Sequence, residues 1–120
     1  MIVKTTIALD DGRISDLLCS ALEGGSNYWV RKITDEDFKG AEWASEAPMT
    51  GGSFVLLHDD PETDDMTGRT LINRDVCEHG LQVMAEKYTT HFADLIGEND
   101  DATTADVFLQ CCVFGEIIYG

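Results

Sequence analysis

The sequence lacks the features of a membrane, secreted or nucleic-acid-binding protein. No apolar run approaches the roughly 20 residues that cross a bilayer, and the opening MIVKTTIALDD is not a charged-then-apolar leader. Only 8 of 120 residues are basic against 23 acidic ones, so the formal net charge is −15. This charge repels phosphate backbones and anionic lipid, which disfavours direct binding to nucleic acid or membranes. We therefore expect a soluble, cytoplasmic protein.

Catalytic and metal-binding motifs are also missing. The chain has no nucleophile elbow, no P-loop, no HExxH and no dinucleotide fingerprint. Its four cysteines form no CxxC pair, and each falls in an apolar helical pattern, so we expect reduced, packed thiols. The acidic stretch HDDPETDDMTG lacks the central glycine and flanking helices of a calcium loop. We predict no catalytic residue, no metal and no cofactor, which favours a binding protein over an enzyme.

The chain is nevertheless long and apolar enough to fold. At 120 residues it can bury roughly two thirds of its unfolded surface, and an apolar content of 43% is ordinary for a globular protein. We predict a single α+β domain over residues 1–120, in which a small antiparallel sheet is packed by 3–4 helices.

Four segments have the composition of short strands. β-branched and aromatic residues predict strands at residues 2–9 (IVKTTIAL) and 27–33 (NYWVRKI). Residues 53–58 and the RTLI segment at 69–72 then form a hairpin. The polar residues 34–52 are punctuated by glycine and proline, so we predict a long connection with one helical turn near its start.

Apolar residues at helical spacing predict the helices. The first contains Ile14 through Leu22 and ends where Gly24 or Gly25 adopts a left-handed conformation. The second is capped by Asn73, and a short third helix ends near Gly97.

The last helix, TADVFLQCCVFGEIIY, is apolar on almost every side. We predict that Asp101, Thr103 or Thr104 caps it, and that Asp106 and Gln110 are among its few polar breaks. A helix of this kind is buried, either in its own domain or in the interface of a homodimer.

The segment EGGSNYW at residues 23–29, which we call the elbow, allows two interpretations. One is purely structural: a helix end, a turn and the start of a strand. The other is a flexible corner that presents polar and aromatic side chains to a ligand, and Glu23 supports it because a carboxylate is unfavourable at the negative end of a helix dipole. The candidate ligand-binding residues are Glu23, Ser26, Asn27, Tyr28 and Trp29.

The acidic residues form a second candidate site. They cluster in the 35–46 loop and in the 59–65 hairpin, where they either keep the surface solvated or bind a basic partner. The candidate partner-binding residues are Asp35, Glu36, Asp37, Glu42, Glu46, Asp59, Asp60, Glu62, Asp64 and Asp65.

The segments LLCSALEGGSNYW and DDATTADVFLQ…FGEIIYG resemble a group of small tailed-phage and prophage proteins of unknown activity. The resemblance implies a phage accessory protein, and it carries over no cofactor and no functional residue. Small acidic phage proteins without enzyme motifs often inhibit host proteins, including CRISPR and other defence components. We therefore predict an inhibitor of a host protein with a basic surface, which the acidic residues would engage by resembling nucleic acid.

Two alternatives stay open. One is a protein that binds or hydrolyses a nucleotide signal in a pocket at Gly24–Trp29. The other is a virion or assembly component of the phage.

Overall fold

A computed structural model describes residues 1–63 and 65–120 and confirms the α+β class. Its α-helices are α1 (Asp11–Ser20), α2 (Arg74–Lys87), α3 (Thr89–Ile96) and α4 (Ala102–Phe114). A π-helical segment, Ala21–Gly25, continues α1, and a 3-10 helix spans Ala44–Thr50. The strands are β1 (Val30–Asp37), β2 (Ser53–Asp60) and β3 (Asp65–Ile72). Within the described ranges, no helix is long and apolar enough to span a membrane.

The three described strands form an antiparallel sheet in the order β1-β2-β3. Side chains alternate along β2, so Phe54, Leu56 and His58 are buried, whereas Val55 and Leu57 lie half-buried on the opposite face. The buried face packs toward the helices, as shown by the ring of His58, which meets that of Phe114 at 5.3 Å. The sheet is therefore covered on one face.

Helix α4 lies at the centre of the core. Every residue from Thr104 to Cys112 is buried, and the helix contacts α1, α2, α3 and the π-helical segment. It approaches α2 so closely at Gly80 that a Cβ there would collide with the Sγ and the backbone of Cys112. The predicted burial of the last helix is confirmed, and its own domain supplies that burial.

Two of the predicted caps are confirmed. The Asn73 side chain accepts a hydrogen bond from the Val76 amide at 3.0 Å, and Asp101 accepts one from the Thr104 amide at 3.0 Å. The amide oxygen of Asn73 and the carboxylate oxygen of Asp101 each accept from a backbone N–H that has no partner within its own helix.

Two strand predictions are wrong in position. Residues 2–9 belong to no described strand, so the sheet has three described strands instead of about four. Strand propensity alone does not supply a neighbouring backbone. The second strand begins at Val30, after a turn at residues 26–29, and continues to Asp37.

The predicted connection at residues 34–52 is consequently shorter. Its first residues complete β1, and the 3-10 helix holds the buried Ala47 and Pro48 before Gly51 reverses the chain with a φ of 90°. Asp35, Glu36 and Asp37 thus lie in a strand and not in a loop. The predicted hairpin at residues 53–72 is confirmed and extends further toward its tip, to Asp60 and Asp65.

Candidate functional site

A cavity of about 670 Å³ opens beside the elbow. The elbow contributes Gly24, Gly25 and Tyr28 to its wall, and the N-terminal half of α4 forms the adjacent side. His91 of α3 and the segment 117–120 that follows α4 close the remaining sides. We call this space the elbow cavity; its size is that of a typical small-molecule site.

The elbow is shaped by a π-helical turn and not by a left-handed glycine. The Ser26 amide donates to the Ala21 carbonyl, five residues earlier, at 2.9 Å, and neither glycine of the pair has a positive φ. Gly25 is required by packing, because a Cβ there would lie 2.5 Å from the Ala102 carbonyl oxygen. A Cβ at Gly24 would meet no atom of the described residues within 4 Å. The predicted left-handed helix end at this pair is therefore wrong.

Beneath the elbow, the carboxylate of Asp106 accepts four hydrogen bonds. Its Oδ1 accepts from the Ser26 hydroxyl and from the Trp29 indole, each at 2.7 Å. Its Oδ2 accepts from the Tyr28 hydroxyl at 2.5 Å and from the Gln110 amide at 3.0 Å. Two donors for each oxygen fill the acceptor sites of an ionised carboxylate. The Asp106 carboxylate therefore fixes the elbow on α4 and keeps no acceptor site for a ligand.

Gln110 extends this network to the segment after α4. Its Oε1 accepts from the amides of Ile118 and Tyr119 at 2.8 and 2.9 Å, and its Nε2 donates to the Tyr119 carbonyl at 2.9 Å. Gly115 permits the reversal that brings this segment back, since it ends α4 with a φ of 72°. The segment is thus held in place as one wall of the elbow cavity.

Trp29, which belongs to this hydrogen-bond network, also packs against two other aromatic rings. Trp29 is fully buried, its ring stacks on that of Tyr119 with centroids 6.1 Å apart, and it meets that of Phe114 at 5.2 Å. These distances lie in the range of favourable aromatic pairs. The two adjacent aromatics differ in exposure, because Trp29 packs inward while Tyr28 remains 49% exposed.

The phenol of Tyr28 is held in its neutral form. Burial of the hydroxyl raises its pKa, and the hydrogen bond and negative charge of Asp106 raise it further, to about 12. Tyr28 therefore donates to Asp106 at neutral pH and does not supply a second anion.

His91 has an unusual position in the cavity wall. Its Nδ1 is buried and has no hydrogen-bond partner among the residues that the structure describes. A buried polar atom without a partner carries a desolvation cost of about 1–3 kcal/mol. Because this nitrogen is also inaccessible to solvent, a ligand in the elbow cavity reaches it only after the imidazole ring turns toward the cavity.

The predicted elbow residues divide into two groups. Ser26, Tyr28 and Trp29 converge on Asp106. Glu23 and Asn27 are exposed and do not line the cavity, and the Asn27 side chain donates to the Glu23 carbonyl at 3.5 Å. The elbow thus contributes backbone and Tyr28 to the cavity.

The predicted acidic residues do not form one cluster. The β1 residues Asp35 to Asp37 lie beside the start of β2, and Asp59 and Asp60 lie at its end. Six residues of strand separate these groups by about 20 Å. Glu42 is exposed in the connection and Glu46 is half-buried in the 3-10 helix. Glu62 and Asp65 are exposed near the hairpin tip, and Asp64 lies outside the described residues.

Several of these carboxylates have a basic partner within the chain. Arg31 contacts both oxygens of Asp59 at 2.6 and 2.8 Å, which lowers the pKa of that carboxyl. Asp35 pairs with Arg69 at 3.0 Å, and Asp37 with Lys39 at 3.4 Å. Arg31 is exposed and Asp59 half-buried, whereas both residues of each of the other two pairs are exposed. Such surface pairs add little to stability, but each reduces the local negative charge.

No protein-family model matches this chain, and curated proteins and solved structures show no significant similarity to it. The elbow cavity and the exposed carboxylates are therefore the features from which a function can be inferred. Among the described residues, no group of three or more His, Cys, Asp or Glu side chains could hold a metal ion.

The sequence interpretation missed the residues that complete the cavity: His91, Asp106, Gln110 and Tyr119. One signal was present, because Asp106 and Gln110 are four residues apart on a helix otherwise apolar on nearly every side. Polar residues on a buried helix need partners, and the hydroxyl, phenol and indole groups of the elbow were available donors. His91 gave no comparable signal.

Proposed function

We propose that the protein binds a small molecule in the elbow cavity and that His91 hydrogen-bonds this ligand. The observation that carries the proposal is that His91 lines the elbow cavity while its buried Nδ1 has no partner among the described residues, so that a turn of the ring would present this nitrogen to a ligand. A ligand group of matching polarity would remove the cost of leaving this atom unpaired.

The remaining walls favour an uncharged or cationic ligand with an apolar, planar part. Tyr28, Tyr119 and Val107 are among the residues that line the cavity. The net charge of −15 and the two acidic residues before α4, Asp100 and Asp101, oppose a polyanion. We therefore favour a nucleoside or a nucleobase-like ring over a phosphorylated nucleotide.

Thermal unfolding with adenosine and guanosine, and with their 5′-monophosphates, tests this proposal. A ligand at about 100 times its Kd stabilises the folded state by about 2.7 kcal/mol, which corresponds to a rise in Tm of roughly 10 °C for a chain of this size. We expect such a rise with a nucleoside and a smaller one with its monophosphate. A flat response to all four compounds contradicts the proposal for this ligand class.

Three variants then locate the binding site by calorimetry. Gly24→Leu places a side chain at the cavity wall where a Cβ meets no atom within 4 Å, and His91→Ala removes the unpaired nitrogen. We expect each to weaken binding about tenfold or more, or 1.4 kcal/mol. His79→Ala, on the exposed face of α2, is the matched control and retains wild-type affinity. Wild-type affinity in both cavity variants excludes this site.

A second candidate function rests on the β2–β3 hairpin. Residues 59–67 contain no basic residue, and Asp60, Glu62 and Asp65 stand at the hairpin end of the sheet. This end supports the binding of a host protein with a basic surface, consistent with an inhibitor encoded by a phage. The clusters at opposite ends of β2 would then contact separate parts of the partner.

Capture of host proteins on the immobilised chain tests this second function. We expect a specific partner to be retained at about 0.15 M salt and released at about 1 M, where the Debye length falls to about 3 Å. Asp60→Asn with Glu62→Gln should weaken capture, whereas Asp16→Asn, an exposed substitution on α1, should not. Retention at high salt, or equal capture by both variants, counts against an electrostatic surface.

A further inference from the structure

The segment before α1, residues 1–9, belongs to no described helix or strand; residues 1–8 are exposed, whereas Leu9 packs against the core. Ile2 and Val3 are 90% and 72% exposed, and Ile7 is 49% exposed. A cavity of about 930 Å³ lies between this segment and α2, so the segment is not closely packed on the helix beneath it. Large apolar side chains in this state are typical of a surface that another molecule covers.

Its sequence has the character of a strand. Alternate side chains point to opposite sides of an extended chain, and one side would carry Val3, Thr5, Ile7 and Leu9, all of them apolar or β-branched. Among the described residues, the backbone of residues 1–9 makes no backbone–backbone hydrogen bond. The segment therefore combines strand propensity with unpaired backbone donors and acceptors.

The sheet offers two edges to such a strand, and β3 is the better template. β1 has register shifts after Val30 and after Thr34, and Asp35 has a left-handed φ of 51°. Bulges of this kind interrupt the row of backbone groups that a new strand needs. β3 instead pairs with β2 in continuous register from Gly68 to Ile72, and the exposed Leu71 is available to pack against an added strand.

The start of α1 lies close to the end of β3. Arg74, two residues after β3, donates to both carboxylate oxygens of Asp11 at 2.9 and 3.3 Å. Within one copy the segment leads away from this point along α2. In a twofold dimer, each segment can instead reach the equivalent edge of the other copy, and both contacts form by the same symmetry.

We propose that residues 2–8 of one copy add as a fourth strand to the outer edge of β3 in a second copy, reciprocally. Residues 1–9 contain Lys4 and no acidic residue, so this segment brings no like charge to the interface. The rest of each copy is strongly acidic, and its repulsion opposes association. Salt therefore strengthens this dimer, because it screens that repulsion. The same screening weakens the attraction between the acidic surface and a basic partner, so salt has opposite effects on the two kinds of binding.

Sedimentation equilibrium over about a hundredfold range of protein concentration tests the dimer. In about 1 M salt, we expect the wild-type mass to rise from 13.2 kDa toward twice that value. Thr5→Pro should weaken the dimer at least about tenfold, because proline removes a backbone donor and disrupts strand addition. Thr5→Ser is the matched control. The Tm of dilute Thr5→Pro should equal that of the wild type, since the segment is unpaired in the single copy.

Amide exchange provides the second measurement. The amides of residues 2–8 should become protected in concentrated wild-type protein and stay unprotected in Thr5→Pro. The proposal is overturned if the wild type remains at 13.2 kDa at every concentration. It is also overturned if Thr5→Pro dimerises like the wild type, or if a dimer forms without protecting residues 2–8.

Discussion

Replacing Asp106 with alanine removes the acceptor on which the elbow converges. Two of its four donors, the Ser26 hydroxyl and the Trp29 indole N–H, belong to fully buried residues. Each buried donor left without a partner costs about 1–3 kcal/mol. Tyr28 is half-exposed and can turn its hydroxyl to water, and the Gln110 amide still donates to Tyr119, so these two groups add little.

The expected loss in the free energy of unfolding is therefore about 2–6 kcal/mol, against a total of about 5–15 kcal/mol for a typical domain. Urea unfolding followed by far-UV circular dichroism measures it without relying on the fluorescence of Trp29. The m-value should stay constant, since the surface exposed on unfolding barely changes.

Asp106→Asn separates the acceptor geometry from the charge. Its amide oxygen can still accept from Ser26 and Trp29, while its NH₂ faces the Tyr28 oxygen, so we expect a loss of only about 1–2 kcal/mol. A loss below about 1 kcal/mol for Asp106→Ala would refute the reasoning. Equal losses for both variants would show that the negative charge, and not the set of acceptors, holds the elbow in place.

Two further predictions concern packing and pH. Gly80→Ala should destabilise the fold by about 1–3 kcal/mol through collision with Cys112, whereas Gly12→Ala, with no atom within 4 Å, should stabilise α1 by about 0.5–1 kcal/mol in the same urea assay. Tyr28 has a folded-state pKa of about 12 against an ordinary 10.0, so its stabilisation is complete below pH 10 and declines as the pH rises toward 12. Absorbance titration should show a late-ionising component that Tyr28→Phe abolishes; an unchanged titration contradicts the contact with Asp106.

Local patterns in the sequence predicted the parts of the fold that depend on neighbouring residues. The caps at Asn73 and Asp101 need only a side chain and an amide three residues later, and both are confirmed. The burial of α4 follows from a helix that is apolar on nearly every side. These features are visible in a single stretch of chain.

Features that join distant stretches could not be predicted in the same way. Residues 2–9 have the composition of a strand, but pairing depends on an edge elsewhere in the molecule. The three elbow partners of Asp106 lie 77 to 80 residues away in sequence. The sequence identified the elbow as unusual, and the structure supplies the buried carboxylate that explains it.

The way that Gln110 folds the segment after α4 onto the cavity has a practical consequence for protein production. Gly120 lies in the wall of the elbow cavity, so any residues fused to it would begin at that wall. An affinity tag placed there would occupy space beside the site that we propose for a small molecule and would give a false negative in ligand screens. A tag at the N-terminal end would interfere with the strand addition that we propose for residues 2–8. Both kinds of experiment therefore require a tag that is cleaved away before measurement.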